Sequence, residues 1–408
     1  MTTTIDNEQK TLNVPNLRFP EFEGEWEKCK VGDFGKIITG NTPPTKDIEN
    51  YENGQYLWVS PADLGLLKSI TETKTKLSKK GFDKTRALPA GSVLVTCIGS
   101  TIGKMGMTTR ETSTNQQINA IVVNKSNNNE FVYYAVQSAF PKYLSSIAVQ
   151  AVPIISKSSF ELLPNYRPSI QEQEKIGRLF ALLDERIATQ SKIIEDLKKL
   201  KSAIIEWHYG QVEKQNVCIG DLGEPFNVGN LAKEDLTETG MPCVIYGELF
   251  TTYGETISQI ESHTNKVEGM ILSKKGDLLF PSSTTVDAMS LIAPSVINVD
   301  GVILGGDMFG IHITPNSNAQ YLSYYFNHIA KRQLAKFAKG STIIHLHYAD
   351  IEKAKLLLPS LEEQNRMANC LISLDTKINI ESIFISLLNS QKAYLLHQSS
   401  LSQLRQDD

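Results

Sequence analysis

No stretch of 18 or more apolar residues occurs among the 408 residues, so no membrane-spanning helix is expected. The opening residues, MTTTIDNEQK, lack a basic start followed by an apolar run, and no secretory leader is expected. Cysteine is scarce: Cys29, Cys97, Cys218, Cys243 and Cys370 form an odd, scattered set without a CxxC pair. That argues against a disulfide frame and against structural zinc, and fits reduced thiols in a cytoplasmic protein. An excess of positive charge is missing too, with 41 Lys and Arg against 45 Asp and Glu, net −4. The balance is uneven along the chain. Residues 1–167 carry 19 basic and 16 acidic side chains, whereas residues 211–358 carry 11 and 16. Any nucleic-acid contact would need a local basic patch or a partner that supplies phosphate contacts.

Catalytic signatures are lacking as well. The turn Asn41-Thr-Pro-Pro44 has one residue too many, and no aromatic, for the base-packing turn of an adenine methyltransferase. Gly99-Ser-Thr-Ile-Gly-Lys104-Met105 is one residue short of a phosphate loop, and Met105 stands where a magnesium-ligating Ser or Thr is needed. His345-x-His347 has no evident third metal ligand. Cys97, on an apolar run, reads as core. The expectation is a chain with no catalytic residues and no metal site.

What the chain does have is a repeat. PSIQEQEKI at 168–176 returns as PSLEEQNRM at 359–367, an offset of 191 that continues through Leu183/Leu374, Asp184/Asp375, Ile187/Ile378, Leu197/Leu388 and Ile204/Leu395. Weaker echoes lie upstream, Val31–Gly35 with Ile219–Gly223 and Ala90–Val95 with Lys275–Phe280. A period near 190 is a duplicated domain-plus-helix unit rather than a solenoid. In each unit the first part is β-rich. Its runs are Tyr56–Ser60, Ser92–Ile98 and Ile118–Val123, then Cys243–Tyr246, Asp277–Phe280 and Gly310–Ile313, bounded by Gly, Pro, Asn and Ser. A helix is expected after each set, over Glu130–Val149 and Ala319–Lys339. The second part, 169–208 and 360–399, lacks internal proline and repeats apolar residues near a 3.5 spacing, which predicts about 60 Å of helix. The resulting division is an N-terminal extension (1–20), a first domain (21–167), a central helix (168–210), a second domain (211–358) and a C-terminal helix (359–408).

Gln190 and Glu381 interrupt the apolar seam at equivalent positions, and Lys201 and Lys392 also correspond. They read either as solvated stretches or as a polar layer that fixes register. If the helices pair antiparallel with Gln190 beside Glu381, facing residue numbers add to 571. Leu183 then meets Leu388, Leu197 meets Leu374, Ile176 meets Leu395 and Ile204 meets Met367.

The order β domain, long helix, β domain, long helix, with PS(I/L)xEQ opening each helix, resembles the specificity subunit of type I restriction-modification systems. So does the block Pro15-Asn-Leu-Arg-Phe-Pro20 with Phe22, Trp26 and the Gly32-Asp33 turn. The resemblance covers essentially the whole chain. It implies an α+β fold of two β-rich target-recognition domains in tandem duplication, separated and joined by two long antiparallel coiled-coil helices. It further implies that each domain reads one half of a split double-stranded DNA target. The helices would set the spacer and dock two methyltransferase subunits, and two motor-nuclease subunits would complete the complex. S-adenosylmethionine, ATP and Mg²⁺ would belong to those partners, with no cofactor in this chain.

Candidate DNA contacts follow from chemistry. Lys68, Lys74, Lys76, Lys79, Lys80, Lys84 and Arg86, against Glu72 and Asp83, form the densest basic cluster, either a solvated loop or a phosphate-gripping flank. Lys266, Lys274 and Lys275 are a thinner counterpart. Lys331, Arg332, Lys336 and Lys339 recur at helical spacing, as a solvated face would. Polar loop residues able to reach base edges are Thr42 and Lys46, Ser100, Thr101 and Lys104, Ser282, Ser283, Thr284 and Thr285, with His345 and His347. Two rival readings are a stand-alone methyltransferase or nuclease and a purely structural scaffold.

Overall fold

The computed structural model describes residues 13–65, 67–145 and 153–400. The chain forms two compact units, residues 1–192 with 382–408, and residues 193–381. Four helices organise them: α1 (Asn129–Ser145), α2 (Ile170–Gln211), α3 (Ala319–His328) and α4 (Leu361–Gln398). Each unit holds one β domain and a stretch of both α2 and α4. Of the helix expected over Glu130–Val149, residues 146–149 lie outside the described residues, as do residues 1–12 and 401–408. Among the described residues no helix is long and apolar enough to cross a membrane.

In the first unit a five-stranded sheet runs Gly35–Thr39, Ile118–Val123, Val93–Thr96, Met105–Thr108, Ser69–Ile70 in spatial order. All neighbours are antiparallel except the last pair, which is parallel. A smaller sheet orders Thr75–Leu77, Tyr56–Val59, Ser113–Thr114. The second unit repeats the main sheet strand for strand, whereas its smaller sheet has five strands, ordered Leu236–Thr237, Ser262–Thr264, Met241–Ile245, Ile303–Gly305, Ile271–Leu272. Its main sheet runs Gly223–Asn227, Met308–Ile313, Asp277–Pro281, Ser295–Ile297, Thr256–Ile257, again with one parallel pair at the end. The upstream sequence echoes are therefore equivalent pieces of one fold. Val31–Phe34 and Ile219–Asp221 both form a 3-10 turn. In each, an aspartate (Asp33, Asp221) accepts from the backbone N–H three residues earlier, at 2.7 and 3.2 Å.

The PSxxEQ motif has a physical role in both copies. Ser169 and Ser360 accept the N–H of Glu172 and Glu363 at the helix start, the usual task of a hydroxyl at an N-terminus. The buried Gln173 and Gln364 donate to the carbonyls of Pro168 and Pro359 and accept the backbone N–H of Asn128 and Asn318. Each long helix is thereby stitched to the start of its domain helix. Glu172 takes a buried ion pair with Arg18 and a bond from Trp26, whereas Glu363 takes His208.

Within each unit the long helices run antiparallel. In the first, Asp184 meets Lys392 while Arg186 lies over the Phe384 ring. In the second, Lys201 meets Asp375 while His208 meets Glu363. The layers expected for Ile176 with Leu395 and for Ile204 with Met367 each fall within one apolar cluster. All ten seam residues are buried or half-buried: Ile176, Leu183, Gln190, Leu197, Ile204, Met367, Leu374, Glu381, Leu388 and Leu395. Gln190 is 6% exposed, and Glu381 pairs with Lys377.

One expected element is shorter than its sequence suggested. The helix read over Ala319–Lys339 stops at His328. The N–H groups of Ile329 and Ala330 both bond the Tyr325 carbonyl, a wide closing turn that redirects the chain. A separate turn, Lys331–Leu334, follows, and this path puts Ala330 and Leu334 in the core. Cys97 is core, as expected, and burial pushes its thiol up to about 12.

Candidate nucleic-acid interface

In the first domain three loops converge at one end of the main sheet. The hairpin tip after Val93–Thr96 is held by Gly99 N–H donating to the Pro153 carbonyl at 3.1 Å, and by Ile155 N–H donating to Cys97 at 2.8 Å. Gln117, just before the strand Ile118–Val123, donates to the Ile98 carbonyl at 3.4 Å. Its neighbour Gln116 accepts the Thr42 hydroxyl at 2.5 Å. Asn41 then ties this loop to the basic segment, donating to the Lys84 carbonyl and accepting the Arg86 N–H. Thr42, Ser100, Thr101, Lys84 and Arg86, far apart in sequence, thus belong to one connected edge. The Lys104 side chain runs past Gly65. Gly99–Met105 turns between two antiparallel strands, not from strand into helix, so it does not have the form of a phosphate-binding loop.

The basic cluster is less free than its composition suggests, and Lys68 leaves it altogether, turned inward to Glu130 and Asp184 with its side chain 11% exposed. Lys76, Lys79, Lys80 and Lys84 pair with Glu72, Asp83, Glu49 and Asp47. Lys46, Lys74 and Lys104 have no ion-pair partner among the described residues, and all three are exposed. Exposed pairs break at small cost, so the paired lysines remain able to turn to a phosphate.

The second domain builds the same edge from different residues. Ser282 N–H donates to the Asp307 carbonyl and Leu346 N–H to the Ser282 carbonyl. Ser283 and Thr284 pair antiparallel with His345 and Ile344. The Ser282–Thr285 segment and the His345–His347 segment, named separately in the sequence, are therefore adjacent. Ser282 and Ser283 are buried, Thr284 and His345 half-buried, and Thr285 and His347 exposed. The two histidine rings stack at 6.1 Å. Beside them lies an open cleft of about 710 Å³, whose walls include Tyr246, Phe250, Thr284, Val286 and Ile343.

Lys274 and Lys275 do not join this edge. They lie before the start of strand Asp277–Pro281, and Ser282 follows its end, so the strand's length, about 17 Å, separates the two groups. Lys266 pairs with Asp235 at 3.0 Å. Sequence reasoning missed Gln116, Gln117, Tyr246 and Phe250. The amide pair did carry a signal, two glutamines directly before a buried strand, since amides are the side chains suited to adenine edges.

Two copies of one β fold, each presenting a differently furnished polar edge and each mounted on paired long helices, define a duplicated reader rather than an enzyme cleft. Residues 23–199 and 211–388 match the sequence model of the type I restriction modification DNA specificity domain. The chain belongs to the type I restriction-modification specificity family, as a DNA-recognition subunit with two target-recognition domains. It is 24% identical over 400 residues to the type I restriction enzyme MjaVIII specificity subunit of Methanocaldococcus jannaschii, covering 92% of this chain and 91% of that one. Over 126 residues it is 34% identical to the HindI specificity subunit of Haemophilus influenzae, 30% of this chain and 27% of the other. The crystal structure of the type I restriction-modification S subunit from M. genitalium shares the fold, with a TM-score of 0.62, 15% identity, and coverage of 95% of this chain and 99% of that one.

Proposed function

We propose that each β domain reads one half of a bipartite double-stranded DNA target, and that the helices hold the two readings at a set spacing. The carrying observation is the pairing of an identical strand order in the two main sheets with unlike edges. Thr42, Gln116, Ser100 and Lys104 stand on one domain, and Thr284, Thr285, His345 and Tyr246 on the other. A shared frame with different side chains at the same place suits two different half-sites.

The helices carry a second surface. In the second unit Ile193, Leu200 and Trp207 recur every seven residues on α2 and are 40, 48 and 67% exposed. In the first, Ile383, Leu387 and Tyr394 share a face of α4 and are 52, 62 and 64% exposed. Apolar side chains in such a stripe favour a helical partner, and membership of this family points to the methyltransferase subunits. In this reading two methyltransferase and two motor-nuclease subunits complete a cytoplasmic complex that methylates adenine and restricts unmodified DNA. They bring S-adenosylmethionine, ATP and Mg²⁺, and this chain supplies the address.

The test is domain replacement. Residues 21–167 are exchanged for the equivalent domain of a relative, and the methylome is sequenced in cells that also express the methyltransferase subunit. One half of the methylated motif should change while the other half stays. If both halves change together, the two-reader proposal is wrong.

A further inference from the structure

At the foot of each β domain lies a poorly hydrated cluster of charged side chains, and the two clusters are alike in one half and opposite in the other. The helix-borne half is the same. In the first unit Lys392 of α4 donates to Asp184 of α2 at 2.5 Å, and Tyr134 of α1 donates to the other oxygen of Asp184 at 2.5 Å. In the second unit Lys201 of α2 donates to Asp375 of α4 at 2.7 Å, and Tyr324 of α3 donates to the other oxygen of Asp375 at 2.5 Å. Each ammonium also lies over its tyrosine ring, at 5.3 and 4.7 Å. The long-helix residues correspond at the 191-residue offset, with their roles exchanged between α2 and α4.

The domain-borne half differs in sign. The edge strands Ser69–Ile70 and Thr256–Ile257 occupy the same place in their sheets, each parallel to its neighbour. The residue before the first is Lys68, and the residue before the second is Glu255. Lys68 bonds Glu130 at 2.7 Å and Tyr134 at 3.0 Å, and lies 3.4 Å from Asp184. Glu255 instead faces Lys201 at 3.1 Å and His328 at 2.9 Å. The helices α1 and α3 align through their Asn128 and Asn318 caps, so Glu130 corresponds to Gln320, and Ser138, whose hydroxyl lies 2.6 Å from that of Ser400, corresponds to His328. Gln320, freed from balancing a cation, donates to Thr256 at 2.6 Å. Burial drives the Glu255 carboxyl upward, but the His328 bond and the Lys201 charge outweigh it and hold it at about 2.

We propose that the Asp and Lys of the long helices form a common socket, bonded in both units by the Tyr of the domain helix, and that Lys68/Glu130/Ser138 and Glu255/Gln320/His328 are two matched plugs whose members cannot be mixed. The inference rests on the two-reader proposal only for its functional consequence: a reader seats correctly when its three plug residues travel together. Reversing Lys68 alone would surround Lys392 with three carboxylates at side chains that are 11–31% exposed, where an unbalanced charge is costly. Supplying the other two plug members restores the balance.

The full chain is purified with its methyltransferase subunit as wild type, Lys68→Glu, and Lys68→Glu/Glu130→Gln/Ser138→His. Thermal unfolding and motif methylation are both followed. The single reversal should lower the melting temperature by roughly 5–10 °C and reduce methylation of the motif, and the triple variant should recover most of both. A single reversal that aggregates while the triple variant folds also supports the plug. The reciprocal set, Glu255→Lys against Glu255→Lys/Gln320→Glu/His328→Ser, should behave alike. A neutral single reversal, or a triple variant no better than the single, overturns it. If the wild type methylates no bipartite motif, the two-reader proposal fails, while the melting comparison still decides the plug.

Discussion

Replacing Lys201 by Met should cost far more than replacing Lys392 by Met, although the two lysines correspond in the repeat. Lys201 is 8% exposed and is the cation that Asp375 and Glu255 share, at 2.7 and 3.1 Å. Its removal leaves Asp375 with the Tyr324 hydroxyl and Glu255 with His328. Breaking a buried pair from one side costs about 3–5 kcal/mol, most of it the penalty on the stranded charge. Lys392 is 19% exposed, and its partner Asp184 keeps both Lys68 and the Tyr134 hydroxyl. That loss is closer to a single charged hydrogen bond, roughly 1.5–3 kcal/mol. The expected difference, about 2 kcal/mol, is roughly 30-fold in an opening equilibrium. Native-state hydrogen exchange is the suitable assay because it reports each unit separately. Amides of α3 in Lys201→Met should lose about 30-fold more protection than amides of α1 in Lys392→Met. Lys199→Ala, which removes an exposed pair with Glu195, should leave both unchanged. Equal losses at α1 and α3 would refute the argument that a second cation shelters Asp184.

Two further outcomes are expected. Changing Lys74, Lys76, Lys79 and Lys80 to Ala should shallow the salt dependence of DNA binding by the assembled complex, by roughly 0.9 log units of slope for each phosphate no longer gripped, without altering the motif. Lys74, which has no carboxylate partner among the described residues, should contribute the first such step, and an unaltered slope would make the segment a solvated loop. Gly177→Ala should destabilise the first unit, because an added Cβ would meet Asn128 Oδ1 at 2.6 Å and the Phe131 nitrogen at 3.0 Å. Crowding of that kind costs about 1–3 kcal/mol, more than the roughly 1 kcal/mol that alanine gains in a helix, and a raised melting temperature would contradict it.

The long helices were legible because their signals are local and repeated: a Ser cap, the EQ pair, and apolar residues on one face. The bounds Ile170–Gln211 and Leu361–Gln398 fall within three residues of the expected ones. Corresponding polar residues, Lys201 and Lys392, were visible as departures from the seam, but their meaning was not. Lys392 meets Asp184 across 208 residues and Lys201 meets Asp375 across 174, and no local pattern specifies such a pairing. The interface edge was legible only in pieces. Its loops are joined by a sheet order in which strands far apart in the chain, such as Gly35–Thr39 and Ile118–Val123, are neighbours, and strands of two or three residues such as Ser113–Thr114 carry too few side chains to show a period. The Ala319–Lys339 expectation failed because Lys331, Arg332, Lys336 and Lys339 keep a helical spacing beyond the turn at Ile329 and Ala330, and neither of those two residues marks the break.

Each β domain begins and ends on the same short ribbon. Glu27–Lys30 lies antiparallel to Pro164–Arg167, and Gln215–Cys218 to Lys355–Leu358. The two points at which the chain leaves and rejoins its support are therefore side by side, as the two prongs of a fitting are. Everything between the prongs can grow, shrink or be exchanged without rethreading the rest of the molecule. A recombination event needs only two junctions, and both lie in strands whose pairing is made by backbone atoms common to every residue except proline. The specificity of such a chain can turn over quickly while its support changes slowly.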